Sequence, residues 1–212
     1  MLPGQPKWRR RKDARPAEIV AAALEIFAEK GFAAARLDDI AARAGVSKGA
    51  LYLYFETKQH LFEAVVRDAV LPNIEAVEQV AKGADLPFGV LVRMLMARMG
   101  EFVSTSSLGS VARMVIAESG NFPDLARVWH DQVVSRALGV MTGVVERAQA
   151  RGEVRPGDPR FHAFAIIGPV LMGVIWREVL QPVGGAPVDL RALAAQHAET
   201  VLGGLLIGEK RA

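Results

Sequence analysis

The stretch RLDDIAARAGVSKGALYLYFETKQHL, residues 36–61, decides the fold, because it predicts short helices separated by tight turns. Gly45 can adopt the left-handed conformation that a tight turn between two helices requires. Ser47 and Thr57 are good N-cap residues for the two helices that follow, and the first of these is expected to run to about Tyr54. The helix before the turn carries apolar residues at helical spacing, namely Leu37, Ile40, Ala41 and Ala44.

Helical periodicity continues on both sides of this stretch, and no convincing alternating strand occurs. Ile19, Ala23, Ile26 and Phe27 form the apolar stripe of an earlier helix. That helix is expected to begin near Pro16 and to end just before Gly31. The helix that Thr57 caps is expected to be kinked or ended by Pro72. Further helices are predicted at about 87–104, 107–118, 122–150, 158–180 and 188–206. The predicted fold class is therefore all-α, with about nine helices.

The positive charge is concentrated at the N-terminus. Residues 1–58 carry 11 Lys and Arg against 7 Asp and Glu, a net charge of +4, and residues 59–212 carry 15 against 16, a net charge of −1; the two add to the overall +3. This asymmetry suggests a polyanion-binding head on a nearly neutral body. The chain has no cysteine, which excludes a disulfide framework and a thiolate metal site. Hydrophobic residues make up 51% of the chain, enough for a buried core.

Short helices joined at Gly45 suit a helix-turn-helix. The second helix of such a motif enters a major groove about 12 Å wide, so its outward face must be slim and polar near its start. Ser47, Lys48, Gly49 and Ala50 supply a cap, a cation and two small residues. Tyr52 and Tyr54 carry hydroxyls that can reach phosphate oxygens, and Lys58 lies at the start of the next helix, where backbone N–H groups can also hold a phosphate.

Residues 19–62 resemble the DNA-binding domain of the tetracycline-repressor (TetR) family. The matching residues are Ala22, Ala23, Phe27, Gly31, Phe32, Asp39, Ile40, Ala41, Ala44, Gly45, Val46, Ser47, Lys48, Gly49, Leu51, Tyr52, Tyr54, Phe55, Lys58 and Leu61. Because the match has several parts at consistent spacing, it is specific, whereas residues 75–212 match only in the number and length of their helices.

The resemblance implies a homodimer that binds double-stranded, palindromic operator DNA. It also implies repression of transcription that a small-molecule effector relieves. Carried over residue by residue, Lys48, Gly49 and Ala50 fall where the family approaches bases. Tyr52, Tyr54 and Lys58 fall where it contacts phosphates.

The chain departs from the family pattern at the start of the second helix. Family members often have Thr or Ser there, and this chain has Ala35 and Arg36. Arg36 can supply a phosphate contact as a cation, but it cannot cap the helix.

The sequence fits other functions less well. Residues 45–49 formally match the Gly-x-Ser-x-Gly nucleophile elbow of hydrolases, but that elbow needs a preceding strand, so no enzyme is expected. No phosphate-cradling loop occurs, and no cofactor is expected. The histidines are too scattered for a metal site, so none is expected. A ligand-independent DNA-binding protein and a transcriptional activator on the same scaffold remain open alternatives.

The chain is expected to comprise a basic, flexible arm at 1–14, a helix-turn-helix domain at 15–62 and a helical ligand-binding and dimerisation domain at 63–212. The arm either contacts DNA or is an inert tail. Flexible, aromatic and a few charged side chains could line an effector cavity for a largely apolar ligand. These candidates are Arg93, Met96, Met99, Phe102, Met114, Glu118, Phe122, Trp129, His130, Met172 and Trp176.

The last two helices are the candidates for the dimer interface, because they carry apolar and small residues at helical spacing. The interface candidates are Phe164, Ile167, Gly168, Leu171, Ile175, Leu193, His197 and Val201. The longest apolar run, 163–176, is shorter than the roughly 20 residues that span a bilayer. It is therefore interpreted as a buried helix of a soluble, cytoplasmic protein with no membrane partner.

Overall fold

The computed structural model describes residues 8–83 and 86–207, with side chains from residue 15 onward. Nine helices make up these residues, and no strand occurs among them beyond one isolated bridge between Val154 and Leu206. The helices are α1 (Trp8–Ala34), α2 (Leu37–Arg43), α3 (Lys48–Tyr52), α4 (58–83), α5 (Phe88–Thr105), α6 (Leu108–Glu118), α7 (123–150), α8 (Pro159–Val183) and α9 (Leu190–Leu205). The predicted all-α class and the number of helices are confirmed.

The first helix begins earlier than predicted. It is already helical at Trp8, and Pro16 lies inside it. Arg, Lys and Ala favour helix, which explains why the helix extends on the N-terminal side of the proline. The predicted start near Pro16 is therefore wrong. Of the predicted arm, residues 1–7 lie outside the described part, and only the backbone of 8–14 is described.

Three of the long helices each contain one π-helical turn. These turns are Val66–Val70 in α4, His130–Val134 in α7 and Trp176–Leu180 in α8. The predicted end of the helix at Pro72 is wrong, and the π turn in α4 explains why the helix continues. A proline disturbs the hydrogen-bond ladder of the turn before it, and here Leu71 N–H bonds to Val66 O, five residues back. Helix therefore continues to Gly83.

The hydrophobic core of the N-terminal helices also includes residues of α6 and α7, which belong to the rest of the chain, here called the body (residues 63–207). Phe27, Phe32 and Phe62 form a ring cluster with centroids 5.5–6.2 Å apart. Met114 of α6 and Leu125 of α7 are buried in the same hydrophobic cluster. The predicted domain boundary at residue 62 thus falls inside a continuous helix, and the N-terminal helices share one core with α6 and α7.

A second core holds α5, α7, α8 and α9 together. Gly100 of α5 allows α9 to approach closely, because a Cβ there would lie 2.9 Å from the Cβ of Ala194. The end of α9 is tied back to the α7–α8 connection, where Arg155 N–H donates to Leu205 O at 3.0 Å. These contacts hold α9 against α5 and against the α7–α8 connection.

One face of α8 is exposed. Counted through its π turn, Pro159–Val183 is long and apolar enough to cross a membrane by length and composition, and only 28% of its most apolar window is buried. The expectation of a buried helix is therefore wrong for the single chain, since only one side of α8 packs into the core.

Candidate DNA-binding face and its junction with the body

The turn between α2 and α3 has the geometry that the sequence predicted. Gly45 adopts φ 67°, in the left-handed region. The Ser47 hydroxyl accepts the N–H of Ala50 at 3.2 Å, and the Thr57 hydroxyl accepts the N–H of His60 at 3.1 Å. Arg36 occupies the N-cap position of α2 without a side-chain cap bond. The predicted caps and the missing cap are thus confirmed, and the Ser47 hydroxyl is used as a cap in a segment without a strand.

Helix α3 presents a slim outer face. Leu51 is fully buried, while Ser47, Lys48 and Gly49 are exposed and Ala50 is half-buried. Tyr52 and Tyr54 are 44% and 39% exposed, so both lie on the outside. The structure brings six of the eight predicted DNA contacts together on α3 and the residues that flank it.

Lys48 is held by an exposed carboxylate of α2. Its Nζ lies 2.8 Å from Asp38 Oδ1, and this hydrogen bond raises the pKa of Lys48. The ammonium group is therefore charged at neutral pH and positioned beside the outer face of α3.

Sequence reasoning missed Leu53, which is 84% exposed immediately after α3. The only available signal was its position two residues from Leu51, which places it on the opposite side of the helix.

The ammonium group of Lys58 is hydrogen-bonded within the protein. Its Nζ donates to the carbonyl oxygens of Phe32, Ala33 and Ala35, and it stands 4.5 Å from the centroid of the Phe32 ring. Burial lowers the pKa of the Lys58 ammonium. In this structure the cation therefore holds the α1–α2 connection, and its contact with a phosphate stays a prediction.

Replacing Lys58 with methionine is expected to reduce the stability of the free protein. Loss of charge-assisted bonds to three carbonyls should lower the free energy of unfolding by about 1–3 kcal/mol. Urea denaturation would measure this loss, and Lys82→Met, an exposed lysine at the end of α4, is the control. Unchanged stability, together with a salt dependence of DNA binding reduced by about one charge, would instead favour the phosphate contact.

Comparison with known proteins decides the family. Residues 19–65 match the profile described as bacterial regulatory proteins, tetR family, and residues 91–190 match the profile described as tetracyclin repressor-like, C-terminal domain. The chain belongs to the TetR family. It is a DNA-binding transcriptional regulator.

Individual relatives agree with this assignment. The chain is 29% identical to the transcriptional repressor BepR of Brucella suis over 155 residues, which cover 68% of this chain and 73% of the relative. The SmeT–triclosan complex has a TM-score of 0.73 at 25% identity, covering 92% of each chain; SmeT is the repressor of a multidrug efflux pump of Stenotrophomonas maltophilia. FadR of Bacillus subtilis in complex with stearoyl-CoA has a TM-score of 0.75 at 23% identity, covering 89% and 98%. This last likeness shows the shared TetR fold alone.

The junction between the DNA-binding helices and the body of this TetR-family chain is formed by the end of α6. Glu118 Oε2 accepts the N–H of Ala33 at 2.7 Å. The Phe122 ring meets the Phe32 ring edge-on, with centroids 5.1 Å apart. Gly31 has φ 76° and ψ 172°, and a Cβ there would lie 2.6 Å from Glu118 Oε1. The body therefore contacts the DNA-binding region at a carboxylate–backbone contact that leaves no room for a side chain.

The predicted effector residues do not line one cavity among the described residues. Met96 is buried in the core of α5, α7, α8 and α9, whereas Met114 is buried in the N-terminal core. The others are divided in the same way. Met99 packs on the first of these cores, Phe102 is half-buried on α5, and Phe122 and Trp129 pack on the N-terminal core.

The polar members of that predicted set are already paired. Arg93 is paired with Glu199 at 2.6 Å, Glu118 with Ala33 and His130 with Asp131 at 2.7 Å. Trp176 Nε1 donates to Ala186 O at 2.8 Å. Spacing along the chain could not reveal this division, because it depends on which helices pack together.

The concave sites among the described residues include a groove and a smaller cleft. A groove of about 590 Å³ runs along the exposed face of α8 and α9 and is lined by Gly168, Pro169, Met172, Gly173, Trp176, Val188 and Leu193. A smaller cleft of about 270 Å³ lies between α4 and α7 and is lined mainly by polar residues, including Glu78, Lys82, Arg136 and Arg147. Met172 and Trp176 therefore belong to the α8–α9 groove. No group of three or more potential metal ligands lies within the described ranges.

Proposed function

We propose that the chain is a cytoplasmic homodimeric repressor that binds a palindromic operator through α3 and is released by a small, largely apolar effector. The observation that carries this proposal is the slim, exposed face of α3, held between the caps of Ser47 and Thr57 in a chain of the TetR family. Two such helices must lie about 34–36 Å apart to enter successive major grooves of one operator.

The exposed face of α8 supports the dimer. Its half-buried and exposed apolar residues recur at helical spacing, namely Phe161, Phe164, Ile167, Gly168, Leu171, Met172, Ile175 and Val179. On α9, the half-buried residues Leu193, His197 and Val201 lie beside this stripe. His197 Nε2 lies 2.9 Å from Ala165 O, which joins the two helices. Two copies of this pair would form a four-helix interface that removes the apolar face of α8 from water.

Release of DNA is proposed to act through α4 and the junction at Glu118. Helix α4 begins beside the DNA-binding core and ends beside the α4–α7 cleft, so a displacement in the body moves its first turn. The dimer is proposed to have two conformations that differ in the distance between the two α3 helices. An effector that binds one conformation better than the other shifts the population toward it. The triclosan bound to SmeT supports a largely apolar effector.

The proposal can be tested on a duplex that contains the palindrome next to the chain's own gene. Fluorescence anisotropy at several salt concentrations should show saturable binding with a steep salt dependence. If the protein binds a scrambled duplex with the same affinity, it is not a sequence-specific regulator. Apolar compounds that dissociate the wild-type complex would identify the effector.

Substituting Lys48 with alanine should weaken operator binding severalfold and reduce the salt slope by about one. The variant loses a cation and also leaves Asp38 unpaired on the same face, so Asp38→Asn alone should strengthen binding. Lys82→Ala, far along α4, is the matched control and should bind as the wild type does. Equal affinity and slope for Lys48→Ala would contradict the placement of α3 on DNA.

A further inference from the structure

The outermost face of α3 can be identified from the buried position of Leu51. Successive residues of an α-helix are about 100° apart, so a residue two positions away lies nearly opposite. Gly49 and Leu53 are therefore the residues that point furthest from the protein. Leu53 keeps helical angles, φ −67° and ψ −25°, so this phase holds to the end of the helix. It is also the most exposed large apolar side chain among the described residues.

This outer face carries no hydrogen-bonding side chain. Gly49 has none, and a Cβ built on it would meet nothing within 4 Å. Gly49 and Leu53 are four positions apart, so they share one face of the helix, and the space above Gly49 is open. The polar groups Lys48 and Tyr52 lie beside this face. A base edge that faces the centre of α3 therefore meets methyl groups rather than donors or acceptors.

An apolar side chain held in water gains free energy when it meets another apolar group. In the major groove the apolar group on a base edge is the C5-methyl group of thymine. We propose that Leu53, on the same face of α3 as Gly49, determines sequence specificity by contacting the C5-methyl group of a thymine in each operator half-site. This inference rests on the proposed binding of DNA through α3.

The test removes only the methyl group. The operator is first selected from a pool of random duplexes with wild-type protein. Each symmetry-related pair of thymines is then replaced with deoxyuridine, which lacks the C5-methyl group. Dissociation constants are measured by fluorescence anisotropy for the wild type, for Leu53→Ala and for the control Val183→Ala, whose side chain is 80% exposed in the body.

For the wild type and for Val183→Ala, one pair of deoxyuridines should weaken binding by roughly fifteenfold, about fourfold for each lost methyl contact. Leu53→Ala should bind the thymine and deoxyuridine operators equally. Leu53→Met, which keeps a flexible apolar side chain, should retain a preference for thymine. Because the residue is exposed, these variants should unfold at the wild-type temperature.

Two results would overturn the assignment: no thymine pair is sensitive to loss of its methyl group, or Leu53→Ala keeps the full sensitivity. A wild-type protein that selects no sequence at low salt would instead overturn the proposed function, and the assignment of Leu53 with it. The two failures are distinguishable, because the first leaves sequence-specific binding intact.

Discussion

Replacing Phe164 and Leu171 together with glutamate should convert the proposed dimer into monomers and weaken operator binding by ~100-fold or more. These side chains are 56% and 45% exposed in the single chain. A second copy of the chain that packs against α8 would bury them. In a symmetric interface the new carboxylates would be buried near their own copies, without a partner. Removal of such charges from water costs several kcal/mol for each ion. A monomer also loses the gain that comes from linking two half-site contacts.

The matched control carries glutamate at Val90 and Ile116, which are 47% and 55% exposed on α5 and α6. It adds the same charge to comparably exposed apolar positions outside the stripe on α8. Sedimentation equilibrium should show a dimer for the wild type and for the control, and a monomer for the variant. If the control dissociates and the Phe164 and Leu171 variant remains dimeric, the interface lies on another face.

The second large effect is expected at Gly31. With φ 76° and ψ 172°, this residue occupies a region that is essentially restricted to glycine. Substitution with alanine should cost about 1–3 kcal/mol in backbone strain. The new Cβ would also displace Glu118 from the N–H of Ala33, which should cost about 1 kcal/mol more. Thermal or urea unfolding would measure the total.

The substitution at Gly31 should also loosen the DNA-binding helices from the body. Glu118→Ala removes the hydrogen bond without the backbone strain, so it separates the two contributions. Gly120→Ala is the control, because a Cβ there meets nothing within 4 Å. If Glu118 couples effector to DNA, Glu118→Ala should bind operator but respond weakly to effector. An unaltered response would place the coupling elsewhere, in α4 alone.

Features that depend on near neighbours in the chain were predictable. Gly45, Ser47 and Thr57 act within a few residues of themselves, and helical periodicity placed most helix bounds within two residues. Pro72 shows the limit of such local rules. Its effect is absorbed by the π turn Val66–Val70, and nothing in the spacing of apolar residues signals that turn.

The candidate sites were predicted less evenly. The candidate DNA contacts on α3 follow from local structure, so the sequence predicted them. Leu53 was missed because an apolar residue is ordinarily expected to be buried. Lys58 was assigned to phosphate because its position in the motif is local information. Its three carbonyl partners come from the end of α1 and the residue that follows it, more than twenty residues away. The methionines and aromatic residues of the body were grouped by type, whereas packing separates them into two cores.

By itself, the sequence determined the all-α fold, the turn at Gly45 with its caps, and the membership in a DNA-binding family. These features depend on short-range hydrogen bonds and on helical periodicity, which involve residues close together in the chain. Only the tertiary structure decided that Lys58 holds the α1–α2 connection, that Glu118 joins the body to Ala33, and that one face of α8 is left exposed. Each of these depends on contacts between segments that are distant in the chain, and such contacts stabilise the protein only after the helices have packed.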